Sequence, residues 1–232
     1  MSTDISELCS DLIGVGLYSP AEAAAYTGIP AVELRRWVFG YITNGRRHSG
    51  LWQPELAHAA ENALSFHDLL EVRFVHAFRR HGVSLQAIRR ASEHAREMFN
   101  QAYPFTCKRF QTDGRSIFAE VQEETGDETL VDLVKKQYVF RQIISPSLYD
   151  GIEYADDDTA LRWFPIKNNN RVVLDPARNF GKPVLADYGI GVEAVVSAWH
   201  AEGENTRRVA TLYDIPIVAV EAAIQFERRM AA

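Results

Sequence analysis

The sequence predicts a mainly α-helical chain with a smaller β-rich middle, an α+β organisation. A winged helix-turn-helix comes first, β-hairpins occupy the middle, and a second helix-turn-helix comes last. Three observations carry this. Ser19 to Trp37 and Glu204 to Phe226 each read as helix, glycine- or proline-bearing turn, helix. Asn44-Gly45 stands between β-prone residues as a hairpin signal. Glycine, aspartate and asparagine turn signals then cluster between residues 103 and 170. The boundaries follow as 1–100, 101–170 and 171–232.

Residues 1–17 read as a loosely attached leader. Ser19-Pro20-Ala21-Glu22 is a helix start, with serine able to cap, proline suited to the first turn and glutamate able to reach back. Thr27-Gly28-Ile29-Pro30 breaks that helix. The next has Val32, Leu34, Trp37 and Val38 as core candidates and leaves Glu33, Arg35 and Arg36 more exposed. Phe39 to Trp52 is aromatic, glycine-punctuated and basic, which suits a wing with Arg46 and Arg47 at its tip.

Phe66, Leu69, Leu70, Phe74 and Phe78 fall on one side of a helix over Ser65–His81. Gly82 ends it and Ser84 caps another, with Leu85, Ile88, Ala91 and Ala95 inward and Arg89 and Arg90 outward. Phe105 to Thr112, Asp113-Gly114 and Arg115 to Val121 read as a hairpin with a type I′ turn. Leu130, Leu133, Val134 and Tyr138 suggest a short helix before Phe140 to Ser145. A second hairpin joins Ile152-Glu153-Tyr154 to Ala160–Ile166 through Asp156-Asp157-Asp158. After the loop Asn168-Asn169-Asn170 come a turn at Asp175-Pro176, an extended arm through Phe180–Leu185, and three helices. Their inward residues are Val192, Val195, Val196 and Trp199; Val209, Leu212 and Tyr213; and Val220, Ile224 and Phe226.

Composition narrows the function. The 232 residues carry a net charge of −6, so charge must be read locally. Residues 1–96 hold ten arginines, no lysine and ten acids, with eight arginines in the pairs 35-36, 46-47, 79-80 and 89-90. Residues 97–170 are acidic. An arginine-paired head beside an acidic middle suits DNA on one side and a different partner on the other. Arg79-Arg80 and Arg89-Arg90 fit solvated helix faces, although Arg89 at a helix-helix elbow is placed to touch a DNA backbone.

Cys9 and Cys107 make neither a zinc site nor a disulfide framework, which fits a reducing cytoplasm. No metal spacing is found among the seven histidines, no nucleophile motif occurs, and no segment is long enough to span a bilayer. The expectation is a cytoplasmic binding protein, not an enzyme, with no cofactor, no metal, no catalytic residue and no membrane partner.

The first hundred residues resemble the DNA-binding head of MerR-family regulators. The resemblance rests on Tyr18-Ser19-Pro20, Ala24, Gly28-Ile29, Leu34-Arg35-Arg36-Trp37, Leu64 to Arg73, and Gly82 to Arg89. It implies DNA contact by Arg35 and Arg36 on the recognition helix and by Arg46, Arg47 and His48 on the wing. In place of that family's long dimerising helix and cysteine ligands, this chain turns to β after Phe99, so metal sensing is unsupported. The last sixty residues resemble the helical domain of an uncharacterised family found in VapB-type antitoxins. Here the residues are Asp175-Pro176, Gly181 to Leu185, Ile190, Val192, Ala201 to Glu204, Val209-Ala210, Tyr213-Asp214 and Val220–Ala223. Asp187-Tyr188-Gly189 stands where that family has Gly-Thr-Arg.

Together the two halves resemble large VapB-like antitoxins. That resemblance implies a homodimer that represses its own operon on double-stranded operator DNA and neutralises a toxin, a PIN-domain ribonuclease. The alternative is a stand-alone transcription regulator whose middle binds a small effector among Tyr103, Phe105, Phe110, Phe118, Tyr154, Trp163 and Phe164. The last helix exposes Glu221, Gln225 and Glu227, and its carboxylates would repel phosphate, which favours protein contact for that unit.

Overall fold

The computed structural model describes residues 14–58, 62–135, 140 and 146–230. The chain divides into two compact units, one of Ser19–Asp150 with Tyr154–Ala160, the other of Met1–Tyr18, Gly151–Glu153 and Leu161–Ala232. Helices dominate, and strands pair only in two-stranded antiparallel or hairpin arrangements among the described residues.

The first unit opens with helix α1 (Pro20–Thr27) and helix α2 (Ala31–Phe39). Ser19 Oγ accepts from the Glu22 amide at 3.2 Å while Glu22 accepts from the Ser19 amide at 2.8 Å, a reciprocal cap that fixes where α1 starts. Gly28 ends it with φ 71°, and its amide donates to the Ala24 carbonyl. Leu34, Trp37 and Val38 of α2 are buried as expected, but Val32 is 68% exposed and is no core contact. It is the second residue of α2, on the face turned to solvent.

Strands β1 (Tyr41–Thr43) and β2 (Arg46–His48) follow, then helices α3 (Phe66–Arg80) and α4 (Leu85–Phe99). Phe66, Leu69, Leu70, Phe74 and Phe78 are fully buried along α3. Ile88, Ala91 and Ala95 face inward on α4, whereas Leu85 at its first turn is only half-buried.

The hairpin expected over Phe105–Val121 is instead helix α5 (Phe110–Thr125). Phe110, Gly114, Ile117, Phe118 and Val121 are buried at helical spacing, and this stripe overrides the Asp113-Gly114 turn signal. Edge-to-face contacts join Phe78 to Phe105 at 5.4 Å and to Phe118 at 4.9 Å, and Phe105 to Phe110 at 4.9 Å. These aromatics form the core. A β-Carbon on Gly114 would lie 2.8 Å from the Phe110 and Phe140 rings.

A 3₁₀ turn (Glu128–Leu130) leads into the short helix α6 (Val131–Lys135), near where Leu130 to Tyr138 suggested one. Apart from Phe140, the segment to Ser145 lies outside the described residues. Helix α7 (Pro146–Tyr149) precedes strands β3 (Ile152–Tyr154) and β4 (Ala160–Trp163), the second hairpin expected from the sequence.

In the other unit, β5 (Val172–Val173) pairs antiparallel with β6 (Val184–Leu185). Of residues 1–17, 1–13 lie outside the described residues, and those nearest Tyr18 are not loose. Leu17 donates its amide to the Phe180 carbonyl at 2.9 Å, and the buried Tyr18 donates its hydroxyl to the Gly181 carbonyl at 2.7 Å. Helices α8 (Val192–Ala201), α9 (Thr206–Tyr213) and α10 (Ile217–Met230) close the unit around Val195, Val209, Val220 and Phe226. Leu212 was expected inside but is 64% exposed, on the outer side of α9. No single helix among the described residues is long and apolar enough to cross a membrane.

Candidate nucleic-acid interface

The helix-turn-helix turns the outer face of α2 to solvent. Leu34, Trp37 and Val38 fix its inner side, so Val32, Arg35 and Arg36, spaced i, i+3, i+4, share the exposed side. Glu33 is turned elsewhere, with its Oε2 4.0 Å from His76 Nδ1. Burial pushes the His76 imidazole down and Arg80 adds to this, while Glu33 pulls the other way. The balance favours the neutral imidazole.

The wing is a two-residue hairpin. Asn44 and Gly45 have φ of 49° and 72°, both left-handed, which is the geometry a type I′ turn requires. Its register pairs Tyr41 with His48, Ile42 with Arg47 and Thr43 with Arg46. Because side chains alternate along a strand, Tyr41, His48, Thr43 and Arg46 belong to one face and Ile42 and Arg47 to the other. Arg46 and Arg47, adjacent in sequence, thus point to opposite sides.

Two contacts tie the wing to α2. The Tyr41 and His48 rings stack with centroids 4.6 Å apart and 10° between planes. Arg36 Cζ lies 4.5 Å from the Tyr41 ring centroid, a cation–π contact. Arg36, Tyr41 and His48 therefore form one continuous group across helix and hairpin. Arg35 is exposed on α2, and Arg46 lies on the wing face that carries His48. Arg47 is the candidate set apart.

The base of the wing is held by backbone. A β-Carbon on Gly40 would sit 2.1 Å from the His48 carbonyl oxygen, and one on Gly50 would sit 2.1 Å from that of Val38. Only glycine permits this closeness. The Leu51 amide donates to the Trp37 carbonyl at 2.7 Å. Arg89, reaching from α4, donates through Nη1 to the Gly50 carbonyl at 2.6 Å and through Nη2 to Ser49 at 3.0 Å. Partly buried and bonded to two carbonyls, it braces the wing. Arg90 pairs with Glu93 at 3.3 Å, and Arg79 donates to the Val83 carbonyl at 2.6 Å. A groove of 380 Å³ runs between Arg36, Tyr41 and His48 on one side and Ser84, Gln86 and Arg89 on the other.

Beneath the interface, α3 carries two buried carboxylates that sequence reasoning missed. Asp68 caps its own helix through Ser65 and accepts from Trp52 Nε1 at 2.6 Å and from the Tyr103 hydroxyl at 3.1 Å. Glu71 accepts from the Phe105 and Thr106 amides at 3.1 and 3.0 Å and from the Thr106 hydroxyl at 2.7 Å. Polar residues at core positions of an apolar helix were the available signal. They lock the segments after the wing and after α4 onto α3.

Three of the aromatics considered for an effector pocket belong to the core. Phe105, Phe110 and Phe118 are fully buried core, as described above. Tyr103 lines a cavity with His67, Glu55, Cys107 and Asp158, but its 170 Å³ is below the usual size of small-molecule sites. No cluster of three metal-ligating side chains occurs among the described residues.

A family model described as "Putative DNA-binding HTH domain" matches residues 16–92, the stretch that holds α1, α2, the wing and α3. The chain is 30% identical over 219 residues to "Putative antitoxin VapB45" of Mycobacterium tuberculosis, covering 87% of this chain and 89% of that relative. The crystal structure of Rv2018 from Mycobacterium tuberculosis superposes with a TM-score of 0.65 at 28% identity, covering 91% of this chain and 98% of that one. Given a helix-turn-helix head and a relationship that runs through most of its length, the chain belongs to the VapB-like antitoxin family.

Proposed function

We propose that the protein is a cytoplasmic antitoxin that represses its own operon and neutralises a PIN-domain ribonuclease toxin. Its head binds operator DNA with α2 in the major groove and the wing on the backbone. The observation that carries this is the joined Arg36–Tyr41–His48 group, flanked by exposed Arg35 and Arg46, on a helix-turn-helix. It offers cations at two places along a duplex. Arg47 contributes from the opposite side of the hairpin. Dimerisation sets two heads on half-sites about one helical turn apart. The chain acts as a regulator and performs no catalysis.

Protein contact falls to the C-terminal unit. On α10 the exposed residues are Ile217, Val218, Glu221, Gln225, Glu227, Arg228 and Arg229, apolar and acidic over most of the helix with the two arginines confined to its last turn. Leu212 adds a further exposed apolar side chain on α9. Carboxylates at such a position repel phosphate, whereas apolar groups beside them suit a protein surface carrying basic residues. The relative's name, antitoxin, supports assigning that partner as the toxin.

The test is fluorescence anisotropy of the full chain on its own upstream DNA and on a scrambled duplex, across a salt series. Specific binding is expected, with the Arg46→Ala/Arg47→Ala variant weaker and shallower in its salt dependence. Equal binding of both duplexes, or unchanged binding by the variant, sinks the DNA assignment. Ile217→Asp/Val218→Asp should release the co-expressed neighbouring ribonuclease and leave DNA binding intact.

A further inference from the structure

Val32 is the apolar residue on the outer face of α2, beside Arg35 and Arg36. It is the second residue of α2 and 68% exposed. Helix stability gives no reason for it, because a β-branched side chain loses rotamer freedom there and alanine would serve better. Burial gives none either. Arg35 and Arg36 follow at i+3 and i+4, so all three side chains share the outer face.

The N-terminal residues of the second helix in a helix-turn-helix are those that meet base edges. Of the groups on the floor of the major groove, the thymine C5-methyl is the apolar one, and a small apolar side chain is what contacts it. Arg36 is drawn toward the wing by Tyr41, which leaves Val32 and Arg35 as the pair aimed along the helix start. We infer that Val32 is a specificity-determining residue that reads a thymine methyl in each operator half-site. The inference rests on the DNA-binding reading above. Arg35 donates to an adjacent base edge, and Arg36 with the wing holds the phosphates that set the register.

The experiment uses the full chain and the footprinted segment of its own upstream DNA. Each thymine is replaced in turn by deoxyuridine, which removes the methyl and nothing else. One replacement per half-site should weaken wild-type binding roughly fourfold, the effect of exposing one buried carbon. Val32→Ala should weaken binding to the intact duplex by a similar factor and become indifferent to that same replacement, with an unchanged salt slope. Alanine keeps α2 helical, and a thermal melt of the variant verifies it. Specific wild-type binding with every deoxyuridine neutral, or Val32→Ala retaining the full deoxyuridine effect, overturns this inference and leaves the DNA-binding reading standing. Absence of any specific binding by wild type overturns both.

Discussion

Arg89 and Gly50 are joined at 2.6 Å, guanidinium to carbonyl, across a gap of thirty-nine residues in sequence. With the second bond to Ser49, this fixes the strand leaving the wing to helix α4. A bidentate guanidinium can do this and an ammonium cannot. Arg89→Ala should cost about 1 kcal/mol of stability. It should also weaken operator binding roughly fivefold, because the wing must then be ordered on binding. Since Arg89 is spent on protein carbonyls, the salt slope should stay unchanged. A shallower slope in Arg89→Ala would show that it touches phosphate instead.

Arg46 and Arg47 differ more than their adjacency suggests. Arg46 pairs with Thr43 on the face that holds Tyr41 and His48, while Arg47 pairs with Ile42 on the reverse. Single alanine variants should therefore be unequal. Arg46→Ala is expected to lower the log–log salt slope by about 0.9, one phosphate's worth, and Arg47→Ala by less. Matching slopes for the two variants would show that the wing tip rotates or inserts edge-on.

Glu71 makes stability depend on pH. Burial pushes its carboxyl up to about 7, against the pull of the Thr106 hydroxyl, the Phe105 and Thr106 amides and Arg96. An acid raised in the folded state binds more protons there than in the unfolded chain. Its contribution is therefore greatest below the unfolded value of 4.5 and falls as pH rises toward about 7. The loss is at most about 3 kcal/mol. His67 acts in the same direction. Burial lowers it, but the Glu55 carboxylate, the Ala160 carbonyl and Asp68 together raise it on balance, so its stabilisation is complete below 6.5 and lost at higher pH. Melting temperature should fall between pH 5 and pH 8, and Glu71→Gln should flatten that fall. The Gln amide brings two N–H donors into a site whose neighbours already donate, where the protonated carboxyl brings one, so the variant should also be less stable by roughly 1–3 kcal/mol.

Gly114→Ala should destabilise although alanine is the better helix former by about 1 kcal/mol. The added carbon meets the Phe110 and Phe140 rings at 2.8 Å, and overpacking of that kind costs typically 1–3 kcal/mol. A chemical-denaturation midpoint equal to or above wild type would show that the rings yield.

Gly114 also shows where the sequence stopped being legible. Asn44-Gly45 and Asp113-Gly114 are equivalent turn signals, and only the first is a turn. The first is flanked by strands exposed on both faces, so nothing competes with the local preference. The second lies in a stripe from Phe110 to Val121 that buries against Phe78, and long-range packing prevails. The caps at Ser19 and Ser84 were legible because their partners lie three residues away. At the interface, exposure of Arg35 and Arg36 followed from helical spacing. The roles of Arg89, Asp68 and Glu71 did not, since their partners lie elsewhere in the chain. Val32 and Leu212 were placed inside because apolar residues usually go there, and each is instead displayed at a helix-turn-helix surface.

The close approaches at Gly40 and Gly50 make the wing a preset jaw. Main chain packed against main chain has few alternative arrangements, so its shape exists before DNA arrives. Little ordering entropy then remains to be lost on association, and calorimetry should find a small heat-capacity change, set by the area buried between rigid surfaces. Encounter with the operator becomes a docking event whose rate follows charge and salt more than any folding step.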